Sequence, residues 1–297
     1  MSDAASARAA TGADGTGLAR EVAGQFAALP AVAAVALGGS RGAGGLGAAA
    51  GSDMDVEVYT RDEIPVDARR AIVEATGGAA RAEMDHRYWG PADEWVHPAT
   101  GIHVDVVYFD AGWMEDRIAA VLDRHEPSLG YTTCFWHTVR GCVPLADPNG
   151  WLSALKERAD VPYPDELRAR IVGLNHPVLR AALPSYANQL AKAAARRDLV
   201  SVDHRLAGLL ASYFDVLFAV NRVTHPGEKR LVEAATRMCD RLPAGMARDI
   251  DALLRTATTD LDGLGPRLDG LIDRLDDLLH EEGFNEADLP SLGRPPG

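Results

Sequence analysis

The chain has 297 residues and carries 43 Asp and Glu against 30 Lys and Arg, a formal net charge of −13. That surplus argues against a general nucleic-acid binder, which needs a basic stripe to neutralise phosphates, and is compatible with a neutral or cationic small substrate. With 47% hydrophobic residues the chain has material for one large core or two ordinary ones. No apolar run approaches membrane-spanning length. The N-terminus lacks a basic-then-apolar signal pattern. The three cysteines, Cys134, Cys142 and Cys239, match no zinc spacing, so a reducing cytoplasm is the expected compartment.

Taken in chain order, residues 1–16 are small and polar and read as a tail. Apolar residues at Leu18, Val22, Phe26 and Leu29 have helical spacing. Strands are expected at 32–37 and 54–59, a helix at 66–75 just after Pro65, and a strand at 80–87. Residues 90–101 read as a loop containing two prolines, followed by a β-branched strand at 102–109 and a helix at 113–124. A last short strand at 143–145 ends in the turn Asp147-Pro148-Asn149-Gly150. Beyond it strand patterns vanish. Helices are expected at 151–158, 165–172, 178–196, 199–220, 229–241, 245–255 and 261–279, punctuated by prolines. The fold class is therefore α/β (α+β) with a mixed sheet, followed by an all-α helical bundle. The expected divisions are a tail over 1–16, a catalytic domain over 17–150, a helical domain over 151–289 and a second tail over 290–297.

The chemistry concentrates in the first part. The strand at 32–37 runs into Gly38-Gly39-Ser40-Arg41, and the next strand opens with Asp53-Met54-Asp55. Two aspartates two apart on a strand share one face. Asp105 stands between Val104 and Val106 in a strongly apolar strand, where a carboxylate needs a partner: a metal, or an Arg or His. Converging carboxylates repel unless a cation holds them, and oxygen-only ligands favour Mg²⁺. Glycines let backbone N–H groups approach phosphate oxygens; Ser40 adds a hydroxyl donor and Arg41 a charge. The run Gly42-Ala43-Gly44-Gly45-Leu46-Gly47 matches a dinucleotide fingerprint in form only, because no helix fits between it and the next strand. Glu57 shares the face of Asp55 and reads as solvated. Glu94 and Asp110 are candidates for a separate general base. His86, His97 and His103 read as structural. Trp89 and Trp95 fall in the expected loop, where one of them would stack on a base or line an acceptor pocket. Arg222, His225 and Lys229 bracket a Pro-Gly turn between helices, a cationic group in an acidic protein.

Gly39-Ser40, the spacer, Asp53-x-Asp55 and the later Asp105 resemble the signature of the nucleotidyltransferase superfamily, which includes DNA polymerase β and the aminoglycoside and lincosamide enzymes. The whole chain is similar to an uncharacterised bacterial family of nucleotidyltransferase-like proteins, on Trp89-Gly-x-x-x-Glu-Trp95 and Asn221-Arg-x-x-x-Pro-Gly-x-Lys229. Its spacer, Arg41 to Ser52, is slightly longer than the commoner form. The resemblance implies two Mg²⁺ ions held by Asp53, Asp55 and Asp105, with a nucleoside triphosphate as co-substrate. It implies nucleotide binding by Gly39, Ser40, Arg41, Arg222 and Lys229, in a cleft between the two domains. The implied reaction moves a nucleoside monophosphate to a hydroxyl of a small-molecule acceptor, an antibiotic being one sub-case. The alternative is a regulatory or antitoxin-like protein of the same fold that acts on or binds a protein partner.

Overall fold

The structure, a computed structural model, describes residues 2–39 and 53–284. Ser40, Arg41, the glycine-rich segment after them and the tail over 290–297 lie outside the described residues. The chain forms two compact units, Met1–Ala119 with Phe135–Val161, and Ala120–Cys134 with Pro162–Gly297.

The first unit is a mixed α/β layer. Its elements are α1 (Ser2–Ala27), β1 (Val32–Leu37), β2 (Met54–Thr60), α2 (Val66–Ala75), β3 (Arg81–His86), β4 (Ala92–Val96), β5 (His103–Asp110), α3 (Ala111–Leu122), α4 (Cys134–Gly141), β6 (Val143–Ala146) and α5 (Trp151–Ala159). The six strands lie in the order β3-β4-β5-β2-β1-β6. β2 and β5 run parallel and their other pairings are antiparallel. One face is apolar. Met54, Val56 and Val58 of β2 meet Val104 and Val106 of β5 and Trp95 of β4, under Leu18, Val22 and Phe26 of α1 and Ile72 and Val73 of α2. β-branched residues on alternate positions make this face, and the helical spacing of α1 covers it. The alternate residues, on the opposite face, include Asp55, Glu57, Glu94 and Asp105.

α1 extends from Ser2, where a tail was expected over 1–16. β4 replaces an expected loop. Its alternation is masked because Asp93 points inward, 1% exposed. Arg69 Nη1 donates to Asp93 Oδ1 at 2.7 Å and Tyr108 Oη donates to Oδ2 at 2.6 Å. A buried carboxylate so held behaves as a core residue. Trp95, expected in a loop beside the acceptor, is instead a core residue of β4, 3% exposed. The short helix α4 escapes a propensity reading. It is fixed by burial of Trp136 and Val139, and Trp136 Nε1 donates to Ala159 O at 2.8 Å.

The second unit is helical, with α6 (Asp165–Leu179), α7 (Tyr186–Ala195), α8 (Leu199–Val220), α9 (Leu231–Met238), α10 (Met246–Thr259) and α11 (Leu264–Glu281). α8 is its axis: every residue from Ser212 to Val220 is buried, as a helix surrounded by partners requires. α6 continues through Pro177 instead of ending before it. The proline sits in the last turn, two residues before the helix ends. His176 and Arg180 of α6 tie it to Asp276 of α11, at 2.6 and 2.8 Å.

The segment 120–134 is strapped to this bundle by two buried polar residues. Asn175 accepts from the Gly130 N–H at 2.9 Å and donates to Ser128 O at 2.9 Å. Asp215 accepts from the Thr132 N–H at 3.1 Å and the Thr132 hydroxyl at 2.6 Å. Burial pushes the Asp215 carboxyl up to about 7, against the pull of the Thr132 hydrogen bonds. A carboxyl raised in the folded state contributes stability below its unfolded value, and that contribution is lost as pH rises through the folded value. The loss between pH 4 and pH 7 is on the order of 4 kcal/mol at about 1.4 kcal/mol per unit. Asp215→Asn cannot ionise. Urea unfolding should show the stability gap between wild type and Asp215→Asn narrowing from pH 5 to pH 8; a constant gap would mean that Asp215 is already ionised at pH 5.

Candidate active site

The acidic face of the sheet is built by register. Asp55 of β2 lies directly opposite Asp105 of β5. Asp105 lies opposite Glu94 of β4, and Glu94 opposite Glu83 of β3. Residues directly paired across a ladder project to the same side, so four carboxylates form one row across four strands. Asp53 stands two residues before Asp55, just ahead of β2. The pair that a strand reading brings together, Asp55 with Asp105, is adjacent in the fold. The row continues to Glu94 and Glu83, which no local pattern reveals, because it depends on how β3 and β4 align.

Electrostatics follow from this row. The Asp105 carboxyl is raised by burial, then by Glu94 and Asp55, with His86 opposing. The His86 side chain is 8% exposed and stacks on Tyr88, with ring centroids 5.7 Å apart. Its Nε2 lies 3.6 Å from Glu94 Oε1. Among the described residues neither ring nitrogen makes a hydrogen bond.

Glu57, expected to be solvated, is buried at 9% exposure and accepts the Tyr59 hydroxyl at 2.7 Å. Burial pushes its carboxyl up to about 7, the Tyr59 bond lowers it, and Asp55 raises it. At neutral pH the position next to Asp55 on this face is therefore partly uncharged.

The two glycines that end β1 are explained by these carboxylates. A Cβ on Gly38 would overlap the Glu57 carboxyl, and one on Gly39 would overlap that of Asp55. Gly39 also has φ +55, which favours glycine. The Gly-Gly turn is thus a cradle for the acids of the next strand, and Gly38 N–H donates to Asp55 O at 2.9 Å.

The donor chemistry suits a hard divalent cation, since Asp55 and Asp105 offer oxygens from neighbouring strands beside a glycine that leaves them room. Among the described residues no three His, Cys, Asp or Glu side chains stand close enough to share one ion. The other expected site residues fall as follows. Asp110 accepts the Trp113 N–H at 2.7 Å and caps α3, at the far end of β5 from Asp105. That position removes it as a base beside Asp105. In the helical unit Arg222 pairs with Asp165 at 2.7 Å. His225 is fully buried, against Tyr131 and Phe218, so it belongs to that unit's core and not to a cationic surface cluster. Lys229 is exposed, two residues before α9.

No family model matches the chain, and no curated protein matches it in sequence. Eleven solved chains match it in structure. One is a nucleotidyltransferase-like protein from Exiguobacterium sibiricum, at 14% identity and a TM-score of 0.40, covering 87% of this chain and 72% of that one. Among the described residues no helix is long and apolar enough to cross a membrane.

The cradle can be tested against a matched control. Gly101 has φ +67 and open space where a Cβ would go, so Gly101→Ala meets backbone strain alone. Gly39→Ala meets similar strain plus the Asp55 carboxylate. Strain at such a position costs of order 1–3 kcal/mol. Thermal unfolding should show Gly39→Ala less stable than Gly101→Ala, and Asp55→Ala, which removes the clashing carboxylate, should recover part of the difference in the Gly39→Ala background. Equal losses in the two alanine variants would remove the close approach.

Proposed function

We propose that this chain is a Mg²⁺-dependent nucleotidyltransferase that moves a nucleoside monophosphate from a nucleoside triphosphate to a hydroxyl of a small-molecule acceptor. The observation that carries the reading is Asp55 in register with Asp105, beside Gly39 and two residues beyond Asp53. Asp53, Asp55 and Asp105 would hold the ions, two of them by resemblance, which supply charge neutralisation at the reacting phosphate. Gly39 leaves space beside Asp55, and Ser40 and Arg41 follow it as donors to the triphosphate. Arg222 and Lys229 are the proposed phosphate contacts of the helical unit.

The acceptor oxygen forms a bond to the α-phosphorus as the bond to pyrophosphate breaks. Its proton goes to Glu94, which stands opposite Asp105. A metal-bound carboxylate is a poor base, which favours Glu94 over Asp105 for that step. Antibiotics are one acceptor class consistent with this reading.

Nucleotide affinity should therefore require a divalent cation. Calorimetric titration of ATP, GTP, CTP and UTP with Mg²⁺ and with EDTA checks this, and equal affinity in both would sink the metal site. Asp55→Asn should abolish the Mg²⁺ effect while the apo protein stays folded and gains stability from relieved repulsion.

Lys229→Ala tests the helical unit. One charge-assisted phosphate contact is worth about 1.5–3 kcal/mol, or roughly ten- to a hundredfold in affinity. The loss should fall on the triphosphate and spare the nucleoside. Equal losses for both ligands would assign Lys229 to pocket shape.

A further inference from the structure

The first unit contains a cleft of about 330 Å³ that takes no part in the proposed transfer. It lies at the carboxyl ends of β2 and β5, where Thr60 and Asp110 line it. Asp105 and Asp110 are five residues apart on β5, roughly 17 Å along an extended strand, so the cleft and the acidic row are separate places.

Two features make this cleft a site. β2 and β5 are adjacent and parallel, yet their following helices leave to opposite faces. α2 packs Ile72 and Val73 into the core under α1. α3 goes to the acidic face, where Trp113 stacks on Phe109 and Glu115 accepts from Trp151 Nε1. A crevice opens outside the carboxyl ends of parallel strands at such a divergence, the place where open α/β sheets bind ligands. The volume also falls within the usual range of small-molecule sites.

The lining defines the chemistry. Three arginines and four carboxylates line the cleft, close to balance. Its floor is closed: Arg69 is held by Ile64 O, Asp93 and Asp85, with its guanidinium 5.1 Å from the Tyr108 ring centroid. The mouth is different. Arg87, just after β3, pairs with Glu63, in the segment after β2, at 2.5 Å, and with Asp85 at 3.2 Å; the Arg87 and Glu63 side chains are 55% and 73% exposed. Exposed pairs of that kind contribute little, so they open readily. Beside it Arg61 and Asp62 are exposed, and among the described residues neither side chain makes a hydrogen bond or ion pair.

We propose that this cleft binds a small zwitterion of the amino-acid class, whose carboxylate takes Arg87 and Arg61 while its ammonium takes Glu63 and Asp62. Such a ligand replaces the Arg87–Glu63 pair charge for charge and leaves no net charge to desolvate. A simple anion would strand Glu63 and Asp62, and a simple cation would strand Arg87 and Arg61.

The inference is independent of nucleotidyl transfer and is tested without it. The full chain is screened by thermal shift against the free L-amino acids, and the best is titrated by calorimetry beside its carboxamide, its N-acetyl derivative and inorganic phosphate. The expected result is binding of the free amino acid with at least tenfold weaker binding of each derivative and of phosphate. Arg61→Ala/Arg87→Ala and, separately, Asp62→Asn should each weaken binding at least tenfold with the melting temperature unchanged, and Asp105→Asn should leave it intact. No amino acid bound up to roughly 10 mM, a range that reaches beyond weak millimolar affinity, would overturn the proposal. So would equal binding of a derivative or phosphate, or folded variants that bind like wild type. If Mg²⁺–nucleotide binding fails while amino-acid binding holds, only the transferase reading falls.

Discussion

The parallel pairing of β2 with β5 sets Asp55 against Asp105, and most of what is distinctive in the first unit answers to that pairing. Like charges directly opposite on neighbouring strands destabilise a sheet, and here Glu94 and Glu83 extend the row across two more strands. The sheet withstands it because its other face supplies the binding energy: Val56, Val58, Val104 and Val106 are all at or below 1% exposure beneath α1 and α2. The repulsion is also blunted locally. Glu57 is pushed up to about 7 by burial, so the row's nearest neighbour on β2 is partly neutral. Gly38 and Gly39 then become necessities of the same arrangement, since a side chain at either would collide with an acid that the register has already placed.

Much of this was legible in the sequence, and the limits are physical. Strands at 32–37 and 54–60 and the helix at 199–220 announce themselves by unbroken apolar or helical periodicity. The pairing of Asp55 with Asp105 was inferable because each lies in or beside a β-branched run. What failed was whatever depends on a distant partner. Asp93 made β4 look like a loop, because nothing local says that Arg69 and Tyr108, 24 and 15 residues away, will hold it. Glu57 looked solvated by alternation alone; Tyr59 and the helices on that face bury it. Pro177 looked like a helix end, whereas it stands inside the final turn of α6. His225 looked cationic and exposed because it stands beside a Pro-Gly turn, yet Tyr131 and Phe218 enclose it.

The helical unit treats buried polar groups in the opposite way from the sheet. Asn175 and Asp215 face backbone and hydroxyl donors of the 128–132 segment, so each is spent on holding a loop. Satisfied networks of this kind specify one arrangement and rigidify it. On the acidic face carboxylate stands beside carboxylate across the ladder, and His86 is enclosed with no hydrogen bond on either nitrogen among the described residues. Stability alone would not select such an arrangement. That contrast, more than the number of acids, marks this face as the candidate site.

The same two strands carry different chemistry at their two ends, and the backbone explains why. At the amino end of the pair the Gly38-Gly39 turn lets the chain pass close over the Asp55 carboxylate. At the carboxyl end the chain must leave each strand for a helix, and α2 and α3 depart to opposite faces. Departure in opposite directions opens a crevice, and the segments that turn there bring Arg61, Asp62 and Glu63 to its rim beside Arg87, just after β3. One end therefore gathers carboxylates, and the other brings both signs of charge together. Because β2 and β5 are shared, a shift of one residue between these strands would disturb both ends at once.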